Sequence, residues 1–287
     1  MRTIIALAVF LLVSCCAIAE APKADLMKAA STGDTARIRE LLEGGEDVNA
    51  KHAVVGWTAL TAAAYYGHPE AVKLLLEAGA EPNMKDASAD TPLMKAVTLG
   101  PYEDRQEMLK RKAEVARLLL KAGADPTTRD RFGVAVWQMP MNDQLSEIVD
   151  VFEQAGVKGI KEEKLIQAVD RGDLESARKL IEQGADPNAK ADDGASAWSQ
   201  ANLWGNLKII NLFLQSGADV NAKWDRGITA LMVAVDRSNV QCAEKLIAAG
   251  ADVNAADDDG ISIWKRADQK GNNDVILLLE RSGARPQ

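Results

Sequence analysis

Gly217-Ala218-Asp219-Val220-Asn221 recurs as Gly250-Ala251-Asp252-Val253-Asn254, the same phrase 33 positions on. Gly184-Ala185-Asp186-Pro187-Asn188 stands 33 positions before the first of these. Two further copies are Gly79-Ala80-Glu81-Pro82-Asn83 and Gly123-Ala124-Asp125-Pro126-Thr127, and degenerate ones begin at Gly45, Gly156 and Gly283. The spacings between successive glycines are 34, 44, 33, 28, 33, 33 and 33. A period of this length, held over three consecutive steps, marks an array of small supersecondary units.

Each unit has the same internal logic. Ala71 to Ala78 places apolar residues at helical spacing on a wide face. Gly79 follows where the helix needs a residue at positive φ to close its last carbonyls. A shorter, alanine-rich helix runs over Ala59 to Tyr66, and Gly67-His68-Pro69 joins it to the next long helix. Small side chains there let neighbouring helices approach closely. One such unit cannot bury its apolar face alone, so stacking must supply the core.

These residues resemble the ankyrin repeat, whose pattern is a turn, T-P-L-H-x-A-A, a Gly-His corner and L-L-L-x-x-G-A-D-x-N. The matching stretches are Thr58 to Ala64 (TALTAAA), Thr91 to Ala96 (TPLMKA) and Thr229 to Ala234 (TALMVA). The resemblance covers nearly all of residues 24–287 and implies an all-α solenoid of about eight helix-turn-helix repeats with hairpin-like turns.

Three departures stand out. The 44-residue spacing holds eleven extra residues, Pro101 to Arg111, which predict a second helix lengthened at its start and carrying charge. They read either as a solvated insertion or as a partner contact. The fourth repeat is irregular, with Pro140 where its first helix should continue. After the 28-residue spacing, Leu165 to Lys190 resembles Leu26 to Lys51 at a constant offset of 139, so the second half starts like a fresh array. Two four-repeat arrays, 24–157 and 158–287, are therefore expected to meet near Gly156 to Lys164.

Six tryptophans divide by position. Trp137, Trp198 and Trp264 align with the inward Leu60 and are expected in the core. By the resemblance, turns and first helices line a concave face that binds a protein partner. Trp57, Tyr65, Tyr66, Trp204 and Trp224 would lie on or near that face, with Arg129, Phe132 and Arg226 from the turns. Aromatics there suit anchoring roles, and packing on the neighbouring turn is the competing reading. The apolar turn Ala53-Val54-Val55 and the turn Arg129 to Phe132 extend the same surface.

Signals for chemistry are sparse. Asp257-Asp258-Asp259 lacks the spacing and distal Glu of a calcium loop and reads as a solvated turn. Cys242 aligns with inward Ala71 and reads as a small core residue. His68 holds the family's corner position, which implies a structural hydrogen bond. The only other histidine is His52, and no H-E-x-x-H, C-x-x-C, G-x-S-x-G or phosphate loop occurs. The turn carboxylates Asp125, Asp186, Asp219 and Asp252 fall at equivalent positions, which points to a shared structural task. An active site would be a single asymmetric constellation. No catalytic residue, metal or cofactor is expected; an unrecognised site near Pro101 to Lys112 or Met139 to Gln144 is the alternative.

Residues 1–19 have a basic start, an uncharged run from Ile4 to Val13 and a small-x-small end at Ala17-Ile18-Ala19, the anatomy of a cleaved export signal. The run is too short for a membrane span. Leu12-Val13-Ser14-Cys15 also resembles a lipoprotein signal, with Cys15 as the alternative lipid anchor. A net charge of -8 argues against nucleic acid as the main ligand. The expected function is a non-catalytic binding scaffold in the periplasm or secreted; a secreted effector binding a host protein would use the same surface.

Overall fold

The computed structural model describes residues 24–98, 105–142, 145–191 and 194–285. The export signal, Cys15 and the start of the insertion, 101–104, lie outside the described residues. The chain divides into two units, parting between Lys158 and Gly159.

In the first unit the helices are α1 (Ala24–Thr32), α2 (Thr35–Glu43), α3 (Ala59–Tyr65), α4 (Pro69–Glu77), α5 (Pro92–Ala96), α6 (Arg105–Lys121), α7 (Met139–Asn142) and α8 (Ser146–Gln154). The second holds α9 (Ile160–Asp170), α10 (Leu174–Glu182), α11 (Ala197–Trp204), α12 (Leu207–Gln215), α13 (Ala230–Asp236), α14 (Val240–Ala248), α15 (Ile263–Lys270) and α16 (Asn273–Arg281). Odd-numbered helices are the first of each pair and even-numbered helices the second. Among the described residues there is no strand, only isolated antiparallel bridges at the turns, such as Arg129 with Ala135 and Ala256 with Ser262. The fold is thus an all-α solenoid.

The sequence phrases fix where these helices begin. The Thr of each TxL phrase is an N-cap: Thr58 accepts from the Thr61 amide at 3.2 Å, and Thr229 from that of Met232 at 3.4 Å. Ser196 and Ser262 do the same for α11 and α15. The second helices start on a polar residue just after the corner, as at Asp173 and Asn239. Each cap satisfies an amide that has no partner inside its own helix.

Packing follows the alanine positions. Ala59, Leu60, Ala62, Ala63 and Ala64 of α3 are buried, and α3 packs against α1 on one side and α5 on the other. The second helices pack in series within each unit, α2 on α4, α4 on α6, and α10 on α12. In the second unit one core runs from Leu165 through Trp198, Phe213, Leu231 and Leu246 to Leu279.

The insertion lengthens α6 to 17 residues where its counterpart α4 has nine, as its sequence predicts. The added turns do not simply project into solvent. Met108 and Leu109 are buried, and Met108 comes so close to Gly67 that a β-carbon there would lie 2.8 Å from its sulfur. With φ at +66° as well, position 67 accepts only glycine without strain. Arg111 completes the join: its Nε donates to the Gly67 carbonyl at 2.9 Å, and its guanidinium lies 2.9 Å from His68 Nδ1. His68 Nε2 sits 3.0 Å from the Ser31 carbonyl, so the imidazole spans three repeats.

Two expectations need correction here. The first helix of the fourth repeat is a single turn that begins at Met139, so Pro140 sits in its opening turn rather than interrupting it. Trp137 therefore lies in the preceding turn, half-buried, and not on an inward helical face. Trp264 is also only half-buried, whereas Trp198 is completely buried as expected.

Candidate partner-binding site

The turn phrase does its work through two side chains. The Asp carboxylate folds the turn: Asp219 Oδ1 accepts from the Asn221 amide at 2.9 Å, and Asp252 repeats this with Asn254. The Asn then reaches into the next repeat. Asn221 Nδ2 donates to the Gly250 carbonyl at 3.1 Å, and its Oδ1 accepts from the Asp252 amide at 2.8 Å. Asn49 and Asn188 make the same pair of bonds to Gly79 and Glu81 and to Gly217 and Asp219, and Asn83 joins Gly123 and Asp125. The repeated carboxylates thus have the shared structural task expected of them. Hydrogen bonds from Thr127 hold Asp125 below the usual carboxylate range.

Beyond this ladder the chain makes hairpins, which carry most of the candidate residues. Asp86, Asp130 and Asp257 each accept two backbone N–H groups and close their hairpins. His52 replaces Asp in the first hairpin, its Nδ1 facing the amides of Val54 and Val55 at 3.3 and 3.4 Å. Neighbouring tips are tied by backbone bonds, Ala87 to the Val55 carbonyl at 3.1 Å and Asp258 to the Arg226 carbonyl at 3.0 Å. Arg226 takes φ +60°, an uncommon setting for a non-glycine residue, to present that carbonyl.

The candidate residues sort by exposure. Phe132 and Trp204 are 62% and 63% exposed, and Val54 is 69% exposed at its hairpin tip. Arg131 lies over the Phe132 ring, 4.9 Å from its centroid. The indole of Trp204 donates to Asp170 at 2.9 Å and leaves its ring face open. Arg129 and Arg226 are exposed, and the Arg129 guanidinium donates to the Gly133 carbonyl at 2.7 Å.

Trp57 is placed differently from the sequence expectation: it is 5% exposed and packs on Tyr65 at 5.1 Å between ring centroids. Tyr66 meets Tyr65 edge-on at 5.0 Å. These rings support the surface, with only the half-buried tyrosines reaching it. Trp224 is half-buried against the core of the second unit and its indole nitrogen is enclosed, so packing accounts for it.

Several buried or half-buried charged groups beneath the first helices, in each unit taken by itself, escaped sequence reasoning. Lys112 is 1% exposed, and its ammonium donates to the carbonyls of Lys95, at 3.0 Å, and of Thr98. It neutralises the negative end of α5 and lies 5.2 Å from the Tyr65 centroid. Lys95 bridges Asp86 at 3.0 Å and Asp90 at 2.6 Å. Arg266, at the equivalent position in α15, joins Asp236 at 2.8 Å and Asp257. Asp257 is held below the usual carboxylate range, first by the Ile261 amide and then, against the opposing effect of burial, by Arg266. The usable signal was the basic residue four positions after the N-cap; Lys112 had none, because its partners lie far back in the chain.

Cys242 is buried, which raises its thiol pKa to about 11. Among the described residues no group of His, Cys, Asp or Glu is placed to hold a metal ion. No described helix is long and apolar enough to cross a membrane.

The family profile described as ankyrin repeats in three copies matches residues 26–130 and 165–286, well over half of the chain. This chain belongs to the ankyrin-repeat family. The profile passes over residues 131–164, where the fourth repeat is reduced. Among similar proteins, mitochondrial disaggregase of Bos taurus is 44% identical over 82 residues, 28% of this chain and 12% of that protein. The 2-5A-dependent ribonuclease of Mus musculus is 41% identical over 69 residues, 24% of this chain and 9% of that protein. Ankyrin repeat domain-containing protein 40 of Mus musculus is 35% identical over 68 residues, 24% of this chain and 19% of that protein. The chain therefore covers less than a fifth of each relative's length, and the similarity is one of ankyrin repeats. An ankyrin array is a protein–protein interaction scaffold, and the fold is in general non-catalytic.

Proposed function

We propose that this ankyrin array is a non-catalytic scaffold that acts outside the cytoplasm and holds a protein partner along its hairpins and first helices. The observation that carries the reading is the exposure of Phe132, Trp204 and Val54, large apolar groups displayed on turns and helix ends that are themselves tightly pinned. Rigid exposed rings lose little entropy when a partner covers them. The leader-like residues 1–19 support an extracytoplasmic site of action, by cleavage after Ala19 or by lipidation at Cys15.

Affinity purification of the mature protein from its own compartment, with mass spectrometry of what co-elutes, tests this. A partner retained by the native protein is expected to be lost from Trp204→Ala or Phe132→Ala, with the thermal midpoint unchanged. Retention by both variants, or loss explained by unfolding, would refute the assignment of this surface.

A further inference from the structure

We propose that the hairpin ridge of the first unit receives an extended acidic segment of a partner protein, one that carries apolar side chains between its carboxylates. This rests on the scaffold reading and specifies its partner. Position two after each ladder residue is basic along this ridge, giving Lys51, Lys85 and Arg129, and Arg131 adds a fourth cation. All four are exposed. Among the described residues Lys51, Lys85 and Arg131 have no carboxylate partner. Lys51 donates to the Lys85 carbonyl at 2.8 Å, which fixes its ammonium on the ridge without neutralising it.

The acids on the same hairpins are already engaged. Asp86 and Asp90 face Lys95, and Asp130 accepts the amides of Phe132 and Val134 at 2.8 and 3.0 Å. Asp47 and Asp125, on the helix side of the ladder, accept turn amides. The hairpins thus hold five cations (Lys51, Lys85, Lys95, Arg129 and Arg131) against three carboxylates (Asp86, Asp90 and Asp130), with Asp47, Glu81 and Asp125 on the helix side of the ladder, so the tips are locally positive on a chain whose net charge is -8. Its tips alternate those cations with Val54, the small residues Ala87, Ser88 and Ala89, and Phe132. One tip per repeat makes a row rather than a pocket, which suits a linear ligand. Carboxylates meeting the cations steer and register such a segment, while its apolar side chains cover Val54 and Phe132.

The hairpins of the second unit differ. Lys190, Lys223 and Arg226 are accompanied there by Asp225, Asp258 and Asp259, so the same preference is not expected of them.

The test uses the full mature protein and a fluorescein-labelled peptide in which Glu alternates with Leu and Phe, followed by anisotropy at low and high salt. Two control peptides replace Glu with Lys, or Leu and Phe with Ser. The acidic apolar peptide is expected to bind, to weaken with salt, and to outbind both controls. Joint Lys85→Glu and Arg131→Glu is expected to lower its affinity roughly tenfold, Phe132→Ser to lower it at every salt concentration, and Lys190→Glu with Lys223→Glu to leave it unchanged. Equal binding of a control peptide, unaltered affinity after charge reversal on the first ridge, or no binding at all would overturn the proposal. Co-purification separates that failure from failure of the scaffold itself. If the native partner stays on the Lys85→Glu, Arg131→Glu protein but leaves Trp204→Ala, the scaffold stands and the acidic-segment assignment falls.

Discussion

At the scale of single residues, the tryptophans show how burial decides what a side chain does. Trp198 is completely enclosed, and Trp198→Ala should cost ~4 kcal/mol in chemical denaturation. Trp224 is half-buried against the same core, so Trp224→Ala should cost ~2 kcal/mol in the same assay. Cys242 offers a second check. Its thiol is 2% exposed and its pKa is raised to about 11 by burial, so alkylation at mild alkaline pH should proceed only as the protein unfolds. Prompt labelling of the native protein would contradict its core placement. Sequence alignment was enough for Trp198 and Cys242, because both sit in complete repeats. It misplaced Trp137 because its repeat's first helix starts later, whereas Trp264, though half-buried, still packs against the core. For Trp57 two readings stood, a partner face and packing; Tyr65 packs on it, a contact with no signature in local spacing.

At the scale of elements, the joint between repeats is carried by one asparagine. Asn221→Ala removes two hydrogen bonds across a repeat boundary and should cost ~1–2 kcal/mol, read as a lower denaturation midpoint with the helix content of the folded protein intact. The turn and helix-cap carboxylates add a pH dependence. Asp125, Asp173 and Asp257 all have pKa values lowered by folding. A lowered folded value means the stabilisation is fully present above the unfolded value of about 4 and is lost as pH falls below it, through the lowered folded values. The stability difference between native protein and Asp257→Asn should accordingly shrink on acidification through that window and stay constant from pH 5 to pH 7. Widening at low pH would reverse the assigned sign. Helix positions and caps were legible because Thr, Gly and Asp act on neighbours three or four residues away. The lengthened α6 was legible for the same reason, but its docking was not: Arg111 finds His68 across 43 positions, and nothing near Arg111 in the chain announces that partner.

At the scale of the whole molecule, the period in the sequence announced a repeat array, and the 139-residue offset announced a second beginning within it. The chain between α8 and α9 is an exposed turn in which Gly156 and Gly159 both take positive φ. Limited trypsinolysis should therefore cut first after Lys158 and leave a folded fragment that retains the core from Leu165 to Leu279; uniform resistance across residues 156–164 would favour a single cooperative body. Which surface meets a partner was the least legible property, since it depends on what remains uncovered after all packing is done. The asparagine ladder has a consequence of its own. Each rung grips only main-chain groups of the following repeat, a glycine carbonyl and the amide two residues on. These two bonds are blind to the side chains of the neighbour, so this part of the seam survives the copying or grafting of units, while the packed helix faces on either side must still be matched. Thr127 has no side-chain carboxamide to offer, and lineages that gain or lose modules would find that place the hardest to splice.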